Sequence, residues 1–316
     1  AIDRDDNRVT IVHSGLSLVA HGDHADLVQG APHVLSTVNV GRQPTDIWTG
    51  GHHVAIFNDE DGSIAVLDER RFGLSLDFTR VRVAQPDHGA AVVLGDYLLS
   101  GYLELGRVDA YTMQGELVES FEGCPRLHGH AVVGDTAAFG CSDGVLLIRH
   151  SRDGADALSA VKLDNPPASP EDARVGTVAG HENSRVIVGN FGEGIAIIDP
   201  VAGTLRAAPL PERPTSMRFS HGGEHLVLLT ADGALHVLEP AGGEVLASLE
   251  LVEVVEGAPR PGLALAEGAI FVSSPGSGEV LEVHFEDGEL AVARRLPVPG
   301  MPAGIAVLAL AGGISH

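Results

Sequence analysis

Two histidines one residue apart lie just behind a cysteine in Cys124-Pro125-Arg126-Leu127-His128-Gly129-His130, and the second of the chain's two cysteines follows in Phe139-Gly140-Cys141-Ser142. Imidazole nitrogen and thiolate sulfur are ligands that zinc favours, so metal chemistry is the first candidate for this stretch. Other places carry similar residue types. His88 follows Asp87 in Pro86-Asp87-His88, and Asp46 closes Pro44-Thr45-Asp46. The segment Ala20-His21-Gly22-Asp23-His24-Ala25-Asp26 packs four potential ligands into six residues, with a glycine that lets the chain turn round an ion. Each has an ordinary alternative: a hydrogen-bonded lining for His88 and His128, and a solvated acidic turn for His21–Asp26. His130 lies two residues beyond His128, as a deeper ligand or a group that orients one. His150, His221, His225, His236 and His284 have no clustered partner and read as surface or locally bonded residues.

Classical catalytic patterns are not expected. The chain reads as having no nucleophile elbow and contains no H-E-x-x-H. Gly189-Asn190-Phe191-Gly192-Glu193-Gly194 looks like a dinucleotide fingerprint only superficially, because a strand pattern rather than a helix follows it.

The elements that must position these residues are strands. Forty glycines and 18 prolines, abundant aliphatic residues and few aromatics describe an all-β chain of short strands and tight turns. A net charge of -23 repels phosphate backbones and anionic membranes, so nucleic acid and membrane surfaces are poor partners, whereas cations are suitable ones. No apolar run is long enough to span a bilayer, and the start at Ala1 suits a soluble, processed protein.

Self-comparison shows a unit repeating every roughly 40–47 residues, which is the propeller range. Its most regular part is an alternating run after a turn: Asn7–Val12, Gly62–Asp68, Gly106–Tyr111, Gly144–Ile148, Gly194–Asp199, Gly233–Glu239 and Gly278–Val283. The innermost strands are expected at Asp46–Thr49, Ala90–Leu94, His130–Val133, Gly176–Ala179, Ser216–Ser220, Leu263–Ala266 and Gly304–Leu308. Both sets number seven. The expectation is one β-propeller domain over residues 1–316, seven-bladed, with a ring closed by strands from both termini; eight blades follow if N-terminal residues are missing. One second strand is unassigned, either short or upstream. Residues 16–32 are expected as a long connection. In this register Asp46, His88 and His128 are equivalent positions on adjacent blades at one end of the central channel. Cys124 and Cys141 fall in turns on that same face, where a disulfide, two buried thiols or a Cys/His zinc site are all open. A disulfide would favour an oxidising compartment such as the periplasm.

The His21–Asp26 segment, Asp87-His88-Gly89-Ala90-Ala91-Val92 and the run from Cys124 through Gly144 together resemble the AztD-type periplasmic zinc metallochaperones. The likeness extends over most of the chain, including Gly189-Asn190-Phe191-Gly192 and Arg260-Pro261. It implies a β-propeller that binds Zn(II) and passes it to the solute-binding protein of a zinc ABC importer. It also implies His21, His24, His88 and His128 as ligands and a Cys124–Cys141 disulfide. The combined expectation is a monomeric, non-enzymatic periplasmic protein holding Zn(II) through His88 and His128. Asp46 or a residue of the segment holding His21, Asp23 and His24 completes the shell. Two rivals stand beside it: a metal-dependent propeller hydrolase of the lactonase kind, with Asp87 as base, and a metal-free protein-binding propeller.

Overall fold

Alternation at period two becomes strands wherever both faces of a run find apolar neighbours, and this governs most of the chain. The computed structural model describes residues 1–22, 24–72, 74–151, 157–167, 169–170 and 172–308, and of residues 20, 21, 24 and 25 the backbone alone. Two compact units are distinguished: Ala1–Glu104 with Val108–Ser120 and the residues from Leu308, and Leu105–Arg107 with Phe121–Val307.

The first unit opens on a three-stranded sheet in the order Ile2–Asp3, Arg8–His13, His33–Val38. The second strand left unassigned in the sequence is the short Ile2–Asp3, which pairs with Arg8 and Val9. Two four-stranded antiparallel meanders follow, beginning at Pro44–Gly50 and Gly89–Leu94. Every residue of Gly89–Leu94 is buried, as a strand covered on both faces must be. Val9, Val40, Ile56, Ala65 and Leu67 form one of the unit's apolar clusters.

Four four-stranded meanders make up the second unit, beginning at His130–Val133, Val175–Ala179, Pro214–Phe219 and Leu263–Ala266. Their packing follows the pleat. In Leu226–Thr230, Leu226 and Leu228 join a cluster with Val188, Ile195 and Ile197 of the preceding sheet. Val227 and Leu229 join Leu263, Ile270 and Val272 of the following one. The sheet that holds Leu226–Thr230 is thus glued to a neighbour on each side, and truncating one such leucine to alanine costs about 2–5 kcal/mol.

The seven alternating runs and six of the seven inner strands form as expected. Among the described residues there are therefore seven blade sheets, six of them four-stranded. The exception is Gly304–Leu308: residues 301–308 have no regular secondary structure. Pro302 has no N–H to give to a ladder, and Ser273 Oγ donates to Ala303 O at 2.6 Å, tying this stretch to the last sheet. Residues 16–32 also differ from expectation. Leu16–His21 and His24–Gln29 pair as a hairpin in which His21 faces His24 across the turn, with Gly22 at φ +68°. Leu18, Val19, Leu27 and Val28 of this two-stranded sheet are all about half exposed.

Candidate metal centre

In the second unit, His128 sits on a loop fixed at several points. Cys124 and Cys141, both fully buried, form a disulfide across a sequence separation of 17. Ser142 N–H donates to Pro125 O at 2.8 Å and His128 N–H to Gly140 O at 2.9 Å. Gly140 N–H returns to Gly129 O at 3.0 Å. Gly129 lies at φ +76°, where an added Cβ would fall 2.6 Å from Gly176 O, so both the left-handed turn and the close approach require glycine there. On this frame the His128 ring is exposed, and its Nδ1 lies 2.7 Å from Gly176 O. A carbonyl only accepts, so Nδ1 carries the proton and the neutral ring has its lone pair on Nε2. His130, two residues on, opens the inner strand and lies beside Phe139 with ring centroids 6.4 Å apart.

In the first unit, His88 precedes the buried strand Gly89–Leu94, and its Nδ1 lies 2.8 Å from Asp59 Oδ2. Asp59 comes from the turn between His53–Asn58 and Ser63–Asp68 and is 9% exposed; Arg4 stands 3.9 Å from the same oxygen. The hydrogen bond to Asp59 raises the His88 pKa above its ordinary value, more than burial lowers it. With Nδ1–H given to the carboxylate, the neutral His88 ring also has its lone pair on Nε2. A carboxylate behind a ring nitrogen is the usual support of a zinc-binding histidine, since it fixes the tautomer and raises ligand basicity. Asp46 is close enough to raise the His88 pKa further, while its Oδ2 accepts from Ala91 N–H at 3.1 Å. Asp87 is buried, and both its oxygens accept from Glu104 N–H, at 3.1 and 3.3 Å, a structural use of the acid that a hydrolase would need as base.

His21 and His24 face each other in backbone register at the hairpin tip, and Asp23 lies outside the described residues. Among the described residues, no three His, Cys, Asp or Glu side chains form a group arranged to hold a metal ion. Each unit carries one anchored imidazole, His88 in the first and His128 in the second.

Other histidines are bonded differently. His13 Nδ1 accepts from Gly15 N–H at 2.9 Å and His181 Nδ1 from Asn183 N–H at 3.1 Å, which moves the proton of the neutral ring to Nε2. His236, read as surface or locally bonded, is 4% exposed, with Ser248 Oγ 2.7 Å from Nδ1 and Thr230 Oγ1 3.3 Å from Nε2. One sequence motif turns out to be structural. Gly140-Cys141-Ser142-Asp143-Gly144 has the G-x-S-x-G spacing, but it joins two antiparallel strands and includes a disulfide cysteine, so it is not the strand-to-helix turn of a nucleophile elbow. Asp59 and Gly176 O, the two anchors, were missed in the sequence. A signal for Asp59 existed, because turns from second to third strands open on the same face as the inner-strand starts.

No family model matches the chain. It is 27% identical over 281 residues to the zinc chaperone AztD of Citrobacter koseri, a match covering 82% of this chain and 64% of that protein's length. The chain thus spans less than two thirds of the length of this curated relative. The structure of apo AztD from Citrobacter koseri superposes with a TM-score of 0.85 at 25% identity, covering 96% of this chain and 84% of that one. A second AztD structure from that organism gives 0.85 at 26% identity with the same coverage. The β-propeller domain of Cps50 (Swd1) from Myceliophteria thermophila, 15% identical, matches in fold alone, at a TM-score of 0.59 over 85% of this chain and 91% of that one. The fold is a seven-bladed β-propeller, and the resemblance read from the three motifs is borne out: the chain is similar to the zinc chaperone AztD in both sequence and fold.

Proposed function

We propose that this chain is a periplasmic zinc chaperone that holds Zn(II) as cargo and passes it to the solute-binding protein of a zinc-specific ABC importer. The observation that carries the reading is the common tautomer of His88 and His128: each gives Nδ1–H to a fixed acceptor and so presents an Nε2 lone pair. The likeness to the zinc chaperone AztD supports zinc over the other imidazole-binding metals. The Cys124–Cys141 disulfide supports an oxidising compartment. None of the helices among the described residues is long and apolar enough to cross a membrane.

The proposed ligands are His21, Asp23, His24, Asp46, His88 and His128. His88 and His128 bind the ion; Asp46 or the tip of the hairpin supplies oxygen or further nitrogen. Cargo must leave as well as arrive. Ligands that exchange one at a time allow intermediates in which donor and acceptor share the metal, and the hairpin tip suits that step. We read the chain as a monomeric single-domain propeller over residues 1–316 and as a carrier rather than an enzyme.

The first test is metal content of untagged protein purified from periplasm, with competitive zinc titration. Near-stoichiometric, tightly held zinc is expected. The His88→Ala/His128→Ala variant should lose at least the roughly 10–100-fold in affinity that follows removal of a supporting hydrogen bond at a metal site. Unchanged affinity in that variant would remove both histidines from the ligand set. Mixing the loaded protein with metal-free solute-binding protein then reads transfer directly.

A further inference from the structure

About half of the described cations of this acidic chain stand beside an acid, as Arg70 does with Asp68, Lys162 with Asp143 and Arg294 with Glu282. Arg126 and Arg174 do not. Among the described residues neither guanidinium is ion-paired with a carboxylate, although the chain has 43 Asp and Glu against 20 Lys and Arg. The two are instead set against each other. Arg174 Nη2 donates to the backbone carbonyl of Arg126 at 3.3 Å, and Arg174 Nε is buried with no acceptor. Burial first, and the Arg126 charge second, lower the Arg174 pKa from its ordinary value.

Several local features hold this arrangement. Arg126 adopts φ +52°, a left-handed conformation that costs a residue with a Cβ about 1–2 kcal/mol. It persists because the disulfide and the Ser142 N–H to Pro125 O bond fix the loop before it and the His128 N–H to Gly140 O bond fixes it after. The Arg174 guanidinium lies close against Gly176: a Cβ there would be in ordinary contact with Nε at 3.4 Å and Nη2 at 3.7 Å. The Gly176 and Thr177 N–H groups both donate to Asn190 Oδ1, at 2.9 and 2.6 Å, so this backbone is already satisfied. What is left unmet is the positive charge of two forked donors.

We propose that Arg126 and Arg174 form a carboxylate-binding site on the loop that carries His128. A guanidinium offers parallel N–H donors that match the two oxygens of a carboxylate, and two like charges held together are relieved by one anion between them. The loop geometry places the site next to His128, two residues from Arg126, whose ring is tied to Gly176, two residues from Arg174. Any importance for zinc hand-over rests on the zinc reading above; the carboxylate site itself does not. The carboxylate comes either from a small free organic acid or from an Asp or Glu side chain of a docking protein.

The test is calorimetric titration of the full chain, stripped of metal with a chelating resin, at low ionic strength. The probes are succinate, a capped Glu-rich decapeptide and its Gln counterpart. Saturable binding of succinate or of the Glu peptide is expected, with none for the Gln peptide. Arg126→Gln, at an exposed position, should weaken binding about 10-fold, the size of one charge-assisted hydrogen bond. The Arg126→Gln/Arg174→Gln variant should abolish it, while Arg213→Gln, an exposed arginine elsewhere in this unit, should leave it unchanged. Circular dichroism checks that the variants fold, and Arg126→Gln keeps the test decisive if the double variant does not. Succinate binding as tightly as the peptide assigns a free acid, and binding of the peptide alone assigns a protein partner. No saturable binding by either probe, or equal binding by Arg126→Gln, overturns the site. Because the zinc is absent throughout, failure here leaves the zinc reading untouched.

Discussion

His88 and His128 each lie just before the inner strand of a blade, yet one leans on a charge and the other on a dipole. Asp59 holds His88 with a full negative charge, supplied by a turn 29 residues earlier in the chain. Gly176 O, a neutral carbonyl of the strand Val175–Ala179, holds His128, whose own loop is fixed by a disulfide. The carboxylate favours the cationic imidazole and raises its pKa, whereas the carbonyl orients the ring without adding charge. The first anchor therefore strengthens the ligand but invites protons, and the second depends on the covalent frame behind it. One donor tautomer is reached by two routes, and the routes should fail under different perturbations.

The largest effect should come from the frame. Cys124→Ala/Cys141→Ala removes a cross-link that closes a loop worth on the order of 3 kcal/mol in the chain-entropy model. Urea unfolding should show that loss. In the folded variant, NMR chemical shifts should change at His128 and not at His88; equal changes at both would erase the distinction drawn here. Next in size is Asp59→Asn. It keeps the shape of the turn but removes the charge, so zinc affinity should fall by roughly 10–100-fold. His88 should also titrate near its ordinary value in that variant. If affinity holds while the titration shifts, His88 is an anchored surface histidine and not a ligand.

The fold was legible wherever packing and local pattern agree. Gly194–Asp199, expected from its apolar run after a turn glycine, forms a strand whose Ile195 and Ile197 pack in one cluster and whose Ala196 and Ile198 pack in another. Gly304–Leu308 has the same apolar composition, but Pro302 and the bond from Ser273 to Ala303 draw the chain away from a ladder. The hairpin at Leu16–Gln29 was hidden for a different reason. His-Gly-Asp-His reads as a ligand cluster, yet Gly at the first position of a two-residue turn is also a hairpin signal, and the flanking apolar residues carry the strands. At the candidate site the histidines were visible and their anchors were not. Asp59 is one acid in the run Asp59-Glu60-Asp61, and which of these turns inward is decided by the turn geometry. Gly176 contributes only a carbonyl, which no residue type announces.

A third histidine sharpens the comparison with the smallest expected effect. His236 is buried among Thr230 and Ser248, and burial lowers its pKa, with Asp232 opposing in part. Its folded value lies below the unfolded value near 6.5, so between the two the unfolded chain binds more protons. His236 thus contributes stability that is present above about pH 6.5 and lost as pH falls towards its folded pKa. His88 has the opposite sign. Its raised pKa contributes stability that is present below about pH 6.5 and lost as pH rises through the folded value. Metal-free protein unfolded in urea between pH 5 and pH 8 should separate them. His236→Gln should lose less stability than the parent on acidification, after allowing for the packing cost at pH 8. Asp59→Asn should lose more, because the protonated His88 no longer gains its partner. Parallel curves for the two variants would mean that the rim and the blade interior offer an imidazole the same environment, and the contrast between an anchored ligand and a packed core histidine would be gone.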